Sequence, residues 1–201
     1  LLLIQRSRIA KKAAKKIEIA KQVIKENYSE GDAWLVYCED SSQLEEVVSE
    51  FRASGIETIV YHSGMGGDRD ATMSWFKEFG GVLVSIRCLD EGVDIPDVSH
   101  ALILASSQNP RQFIQRRGRV LRKSPGKYIA SIHDLIVVPV KDEDLDSQIS
   151  LLKSELARAI EFSENAVNRN ASAQLRKISI EMGIDLSELS NMGLEENDDD
   201  N

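Results

Sequence analysis

Three short strand-like runs, Trp34 to Cys38, 56 to 60 and Val82 to Ile86, the first and last almost wholly apolar, are separated by segments of helical periodicity. Runs without polar alternation make strands that are buried on both faces. Between the first two runs, Leu44, Val47, Val48 and Phe51 recur on one helical face, and Ser41 can cap that helix. Gly55 turns the chain into the second strand. Asp68 can cap the next helix, where Met73, Phe76 and Phe79 read as core, and Gly80-Gly81 ends it. Strand, helix, strand, helix, strand predicts a parallel sheet with right-handed crossovers and helices on its faces. Further strands are expected at Ala101 to Leu104, 128 to 132 and Leu135 to Val140. In such sheets ligands gather beyond the carboxyl ends of the strands, so the residues after each strand are the candidate site.

The flanks are helical. Residues 4 to 27 carry Ala13, Ile17, Ala20 and Ile24 at helical spacing, and Arg8, Lys11, Lys12, Lys15 and Lys16 form a basic face that reads as solvated. Beyond Pro139, Leu145, Ile149, Leu152, Leu156 and Ile160 form a near-heptad stripe. Such a stripe suits packing on the N-terminal helix or a neighbouring domain, or a coiled-coil dimer. Leu175, Ile178 and Met182 mark another helix before Gly183. The expected organisation is a helical extension over 1–30, the sheet domain over 31–140, C-terminal helices over 141–192 and a disordered acidic tail over 193–201. Five acidic residues of that tail supply more than half of the formal charge of −8, so the body does not suit broad polyanion binding. A local basic site remains compatible, because screening confines each charge to about 8–10 Å. Cys38 and Cys88 lie in or beside apolar strands without a disulfide framework, which suits a reducing, cytoplasmic setting. Leu1 to Ile4 is too short for a signal or membrane helix.

Against that acidic background, Gln115-Arg116-Arg117-Gly118-Arg119-Val120-Leu121-Arg122 places four arginines around one glycine. Arginine keeps its charge, and its planar fork matches phosphate oxygens. Four in seven positions repel one another unless an anion completes the site. Asn109 can cap this segment as a helix, with Pro110 at its first position. Upstream, the strand Val82 to Ile86 runs through Arg87-Cys88-Leu89-Asp90 into Glu91-Gly92-Val93-Asp94, where glycine suits a close backbone approach to a ligand. His100 and His133 each stand alone beside a strand end and read as structural hydrogen-bonding residues.

Gln-x-x-Gly-Arg-x-x-Arg resembles motif VI of superfamily 2 helicases, and Val82 to Pro96 resembles their motif V, in the order and spacing of that family. Trp34 to Cys38 resembles the motif IV strand, and Tyr61-His62-Ser63-Gly64-Met65 the segment that touches the nucleic-acid backbone. The resemblance covers roughly residues 30 to 140. It implies a RecA-like parallel sheet flanked by helices, with added N- and C-terminal helices. It also implies that Arg119 and Arg122 reach the terminal phosphate of ATP, that Gln115 couples that phosphate to domain closure, and that Gly92 and Asp94 lie near the nucleotide ribose. Ser63, Gly64 and Arg87 would contact a DNA backbone. Gln115 stands where DEAD-box RNA helicases carry histidine, Glu91 where they carry arginine, and Ile86-Arg87 where they carry Thr-Asp, so the resemblance points to DNA-directed relatives, such as restriction-system and excision-repair helicases.

No Gly-x-x-x-x-Gly-Lys-Ser/Thr loop occurs in the sequence, so nothing in it can cradle the phosphates of ATP or position magnesium. Asp142-Glu143-Asp144 has Leu145 where a fourth acidic or histidine residue belongs, and reads as an acidic first helical turn. The chain starts at Leu1 and reads as an excised C-terminal motor domain whose ATP and Mg come through an N-terminal helicase domain of the same polypeptide. No metal site of its own is expected. The rival reading is a non-catalytic nucleic-acid-binding or protein-docking module that retains the fold.

Overall fold

A computed structural model describes residues 14–86, 98–105, 129–138, 145–164, 166–168 and 170–185. The chain divides into two compact units, Leu1–Leu135 and Ile136–Asn201.

The first unit is a five-stranded, all-parallel sheet in the order β2-β3-β1-β4-β5. The strands are β1 (Ala33–Tyr37), β2 (Thr58–Tyr61), β3 (Gly81–Ser85), β4 (His100–Ile103) and β5 (Ser131–Asp134). β1 lies at the centre and every one of its residues is buried, as its unbroken apolar run requires. Helices α1 (Ala14–Asn27) and α2 (Ser41–Ala53) cover one face, where Ile17, Ala20, Ile24, Leu44, Val47, Val48 and Phe51 meet Trp34, Val36, Val82, Val84, Leu102 and Leu104. On the other face Met73 and Phe76 of α3 (Arg69–Phe79) pack on Leu35, Tyr37, Leu83, Ala101 and Ile103. This is the RecA-like arrangement expected from the sequence.

Helix ends follow local chemistry. Asp40, not Ser41, is the N-cap of α2: its backbone is extended and its side chain accepts from the Gln43 N–H at 3.0 Å. A carboxylate outcompetes a hydroxyl there because it also meets the positive end of the helix dipole. α2 ends at Gly55 with φ +79°, its N–H on the Arg52 carbonyl and that of Ile56 on the Phe51 carbonyl. Asp68 caps α3 by accepting from the Asp70 and Ala71 N–H groups.

Several expectations shift. Phe79 is 54% exposed, because helical geometry turns it away from Met73 onto the side of the exposed Trp75, and its ring packs on Trp75. The last strand is Ser131–Asp134 rather than 128 to 132, and 135–138 form no strand. Lys16 is buried rather than solvated. His133 is not a hydrogen-bonding residue at Nε2, which is buried and lacks a partner; its ring stacks on Trp34 instead. Residues 4–13, the Asn109-Pro110 start, Asp142 to Asp144 and the acidic tail lie outside the described residues.

In the second unit, α4 (Leu145–Glu164) and α5 (Asn170–Glu181) pack through Leu152, Leu156, Ile160, Leu175, Ile178 and Met182. The near-heptad stripe is thus used against the next helix in sequence. An Arg176–Glu164 ion pair joins the two helices.

Candidate functional site

Because all five strands are parallel, their carboxyl ends share one edge, and the chain leaving each strand is delivered there. Across that edge the order is Tyr61-His62 of β2, Ser85-Ile86 of β3, Tyr37-Cys38 of β1, Ile103-Leu104 of β4 and Asp134-Leu135 of β5. Ile86 leads directly into Arg87, Gly92 and Asp94, and Ala105 leads into Gln115, Arg119 and Arg122. Those six residues lie outside the described residues. The stems that carry them are in place. β3 and β4 flank β1 on either side, two strand spacings or about 10 Å apart.

Ser63 and Gly64 are exposed in the loop beyond β2. A turn closed by the Met65 N–H on the His62 carbonyl (3.1 Å) presents them. A Cβ at Gly64 would meet only the His62 ring, at 3.6 Å, an ordinary contact. The protein's own packing therefore leaves space at this glycine. Beside the loop, the Arg69 guanidinium lies 5.4 Å from the Tyr61 ring centroid and donates to the Tyr61 hydroxyl at 3.4 Å. Arg69 is a basic group at the edge that sequence reasoning missed; its only signal was its place directly after the capping Asp68. An open groove of about 590 Å³ runs from His62 along α2, over Leu44, Val48 and Val60 to Arg52. Arg52 is tied down there by bonds to Thr58 Oγ1 (3.0 Å) and the Thr58 carbonyl (3.2 Å).

Other reactive side chains are occupied structurally. Burial pushes the Cys38 thiol far up, and Asp40 adds to that, so it stays protonated and packs as a small apolar group. His100 stacks on Trp34 at 4.3 Å between ring centroids, almost parallel, and His133 at 5.3 Å, on the α1 and α2 face rather than at the edge. Burial lowers the pKa of both imidazoles. Asp32 opposes this at His100, and His100 reinforces it at His133. Among the described residues no three His, Cys, Asp or Glu side chains form a metal cluster, and no helix is long and apolar enough to cross a membrane.

Comparison with known proteins agrees with this geometry. Residues 15–124 match the family described as the helicase conserved C-terminal domain. The chain is 28% identical over 140 residues to a Methanocaldococcus jannaschii protein assigned as an ATP-dependent RNA helicase, which covers 66% of this chain and 17% of that one. It is 29% identical over 119 residues to the DNA 3'-5' translocase XPB2 of Sulfurisphaera tokodaii, covering 57% of this chain and 25% of that one. The chain thus spans a quarter or less of these relatives. In fold it is similar to S. cerevisiae Dbp5 bound to RNA and ADP BeF3, with TM-score 0.54, 19% identity, and coverage of 70% of this chain and 36% of that one.

Proposed function

The chain belongs to the helicase conserved C-terminal domain family, as the C-terminal RecA-like domain of a superfamily 2 helicase, and from that premise we propose that it is the second motor domain of an ATP-dependent DNA helicase or translocase. The observation that carries the reading is the convergence of the motif V and motif VI stems on one sheet edge, either side of β1. That separation is comparable to the reach of one nucleotide from ribose to terminal phosphate, which is how Asp94 and the arginines would share a ligand. The donor set suits the triphosphate end: guanidinium forks for phosphate oxygens, a carboxylate for ribose hydroxyls, and a glycine that lets the backbone approach. Mg and the phosphate cradle belong to the other domain, since this sequence has no phosphate loop.

In this mechanism ATP supplies the free energy that closes and reopens the two domains. Arg119 and Arg122 stabilise the charge that develops on the transferred phosphoryl group, a contribution of about 10³ to 10⁵ in turnover. Gln115 links that phosphate to closure. Gly92 and Asp94 hold the ribose side. Ser63, Gly64 and Arg87 hold a DNA strand by its backbone, which makes the motor indifferent to sequence. Asp94 and Gln115 would therefore respond to nucleotide while the β2 loop responds to the strand. DNA rather than RNA is supported by the departures at Gln115, Glu91 and Ile86-Arg87 from the DEAD-box pattern, and by the name of the Sulfurisphaera relative. The motor proper is assigned to 31–140, between a helical extension (1–30) and C-terminal helices (141–192) with an acidic tail (193–201). A cytoplasmic location is proposed on the free, buried thiol of Cys38.

Phosphate release by this chain alone, and by the chain joined to its phosphate-loop domain, tests the assignment. The expected outcome is no turnover by the chain alone and DNA-stimulated turnover by the joined protein. Robust turnover by the chain alone overturns the half-motor assignment. DNA binding without turnover in the joined protein favours the non-catalytic module.

A further inference from the structure

Lys16 is the third residue of the described α1, only 3% exposed, on the side of the helix that packs against the sheet. Lysine is almost never buried unless its ammonium is paired. Here Nζ donates to the Leu104 carbonyl at 2.8 Å, across 88 residues of sequence.

The ladder between β1 and β4 explains why that carbonyl accepts a lysine. The Leu104 N–H donates to the Tyr37 carbonyl at 3.1 Å, so the next rung of a parallel ladder would run from the Glu39 N–H to the Leu104 carbonyl. The Glu39 N–H turns away instead and donates to Gln43 Oε1 at 2.7 Å. The central ladder stops there, and the Lys16 ammonium takes the place of the missing rung. Leu104 is also the last residue but one before the segment that carries Gln115, Arg119 and Arg122. α1 runs antiparallel to the strands, so its amino-terminal end stands at the carboxyl edge of the sheet.

We propose that Lys16 is a positioning residue that fixes the outgoing end of β4 to the incoming turn of α1, and so sets where the motif VI arginines begin. This rests on the motor assignment above. The bond is short, charge-assisted and made one residue before the described part of this segment ends, so its loss changes where the chain leaves β4. Misplacement of a catalytic group by about 1 Å can cost about a hundredfold in rate.

The test uses the protein in which this chain is joined to its phosphate-loop domain, with saturating DNA. Lys16→Met keeps the apolar stem and removes the donor; Lys16→Arg keeps a charged donor. Lys16→Met is expected to lower kcat by roughly ten- to a hundredfold while KM for ATP stays within about twofold, because the loss falls on transition-state placement. Lys16→Arg is expected to recover most of the turnover. A kcat unchanged in Lys16→Met, equal losses in kcat and in ATP affinity, or no recovery in Lys16→Arg overturns the proposal. If Lys16→Met does not fold, Lys16→Gln replaces it under the same criteria. Arg119→Ala, run in parallel, separates the two assignments. Turnover that survives Arg119→Ala removes the motor reading itself; turnover lost in Arg119→Ala yet intact in Lys16→Met removes only the role of Lys16.

Discussion

Replacing Gly80 by alanine should unfold the sheet domain at far milder conditions than replacing Gly66, although both residues lie outside regular elements. Gly80 ends α3 with φ +72° and ψ −145°, a region that is essentially closed to residues with a side chain. A Cβ there would stand 2.7 Å from the Asp32 carbonyl oxygen and 2.8 Å from that of Gly31. Those atoms cannot yield cheaply. The Asp32 carbonyl accepts the Gly81 N–H at 2.8 Å, the Asp32 N–H donates to Ser29, and the Asp32 carboxylate accepts the Ser29 N–H. Backbone strain costs about 1–3 kcal/mol, and forcing the turn apart costs about as much again, so the expected loss is about 2–6 kcal/mol, centred on about 4 kcal/mol. For a unit of this size that is a fall in melting temperature of roughly 10–20 °C. Gly66 has open space around its Cβ direction, so Gly66→Ala should stay within about 0.5 kcal/mol of wild type. Urea titrations followed by circular dichroism give both values, provided the slope m is unchanged. A Gly80→Ala midpoint within about 1 kcal/mol of wild type, or equal losses in the two variants, refutes the argument.

Two further outcomes follow from the site and its surroundings. Burial holds the pKa values of His100 and His133 below the usual imidazole value, so the folded sheet keeps both rings neutral while the unfolded chain takes up protons first as pH falls below about 6.5. Stability should therefore be full above about 6.5 and decline on acidification, before most carboxylates titrate below about 5; His133→Phe should flatten the decline, and a urea midpoint that is constant from neutral pH to about 5.5 contradicts this. In the joined motor, Arg87→Ala should make the salt dependence of DNA binding shallower by about one phosphate contact, equally on two oligonucleotides of unrelated sequence; an unchanged slope, or strong preference for one sequence, removes Arg87 from the strand contact.

The sheet was legible because its central strand β1 is an unbroken apolar run, β3 is nearly one, and its helices repeat Leu44, Val47, Val48, Phe51 or Met73, Phe76 at core-facing spacing. Periodicity alone could not place the ends. Phe79 follows Phe76 by three residues but shares the exposed side of α3 with Trp75, and Asp40, directly before Ser41, is the residue whose side chain accepts the Gln43 N–H. Lys16 looked like one more member of a basic stripe, because its partner is a carbonyl 88 residues away that only the folded ladder leaves available. The stack of Trp34, His100 and His133 on the α1 and α2 face was hidden for the same reason: three residues on three strands meet only through register. Of the candidate site, the structure describes Ser63 and Gly64 beyond β2 and the carboxyl ends of β3 and β4 at the same edge; the glycine and arginines expected after β3 and β4 are read from the sequence alone.

The central claim is that Arg119 and Arg122 act on phosphate held by another domain, and its most direct measurement is nucleotide affinity and turnover on one preparation of the joined motor. Arg119→Ala and Arg122→Ala should each leave ATP affinity within about tenfold while lowering turnover by about a thousandfold or more, because a finger acts on charge that develops in the transition state. Near-normal turnover in both variants, or affinity lost in step with turnover, would contradict the account.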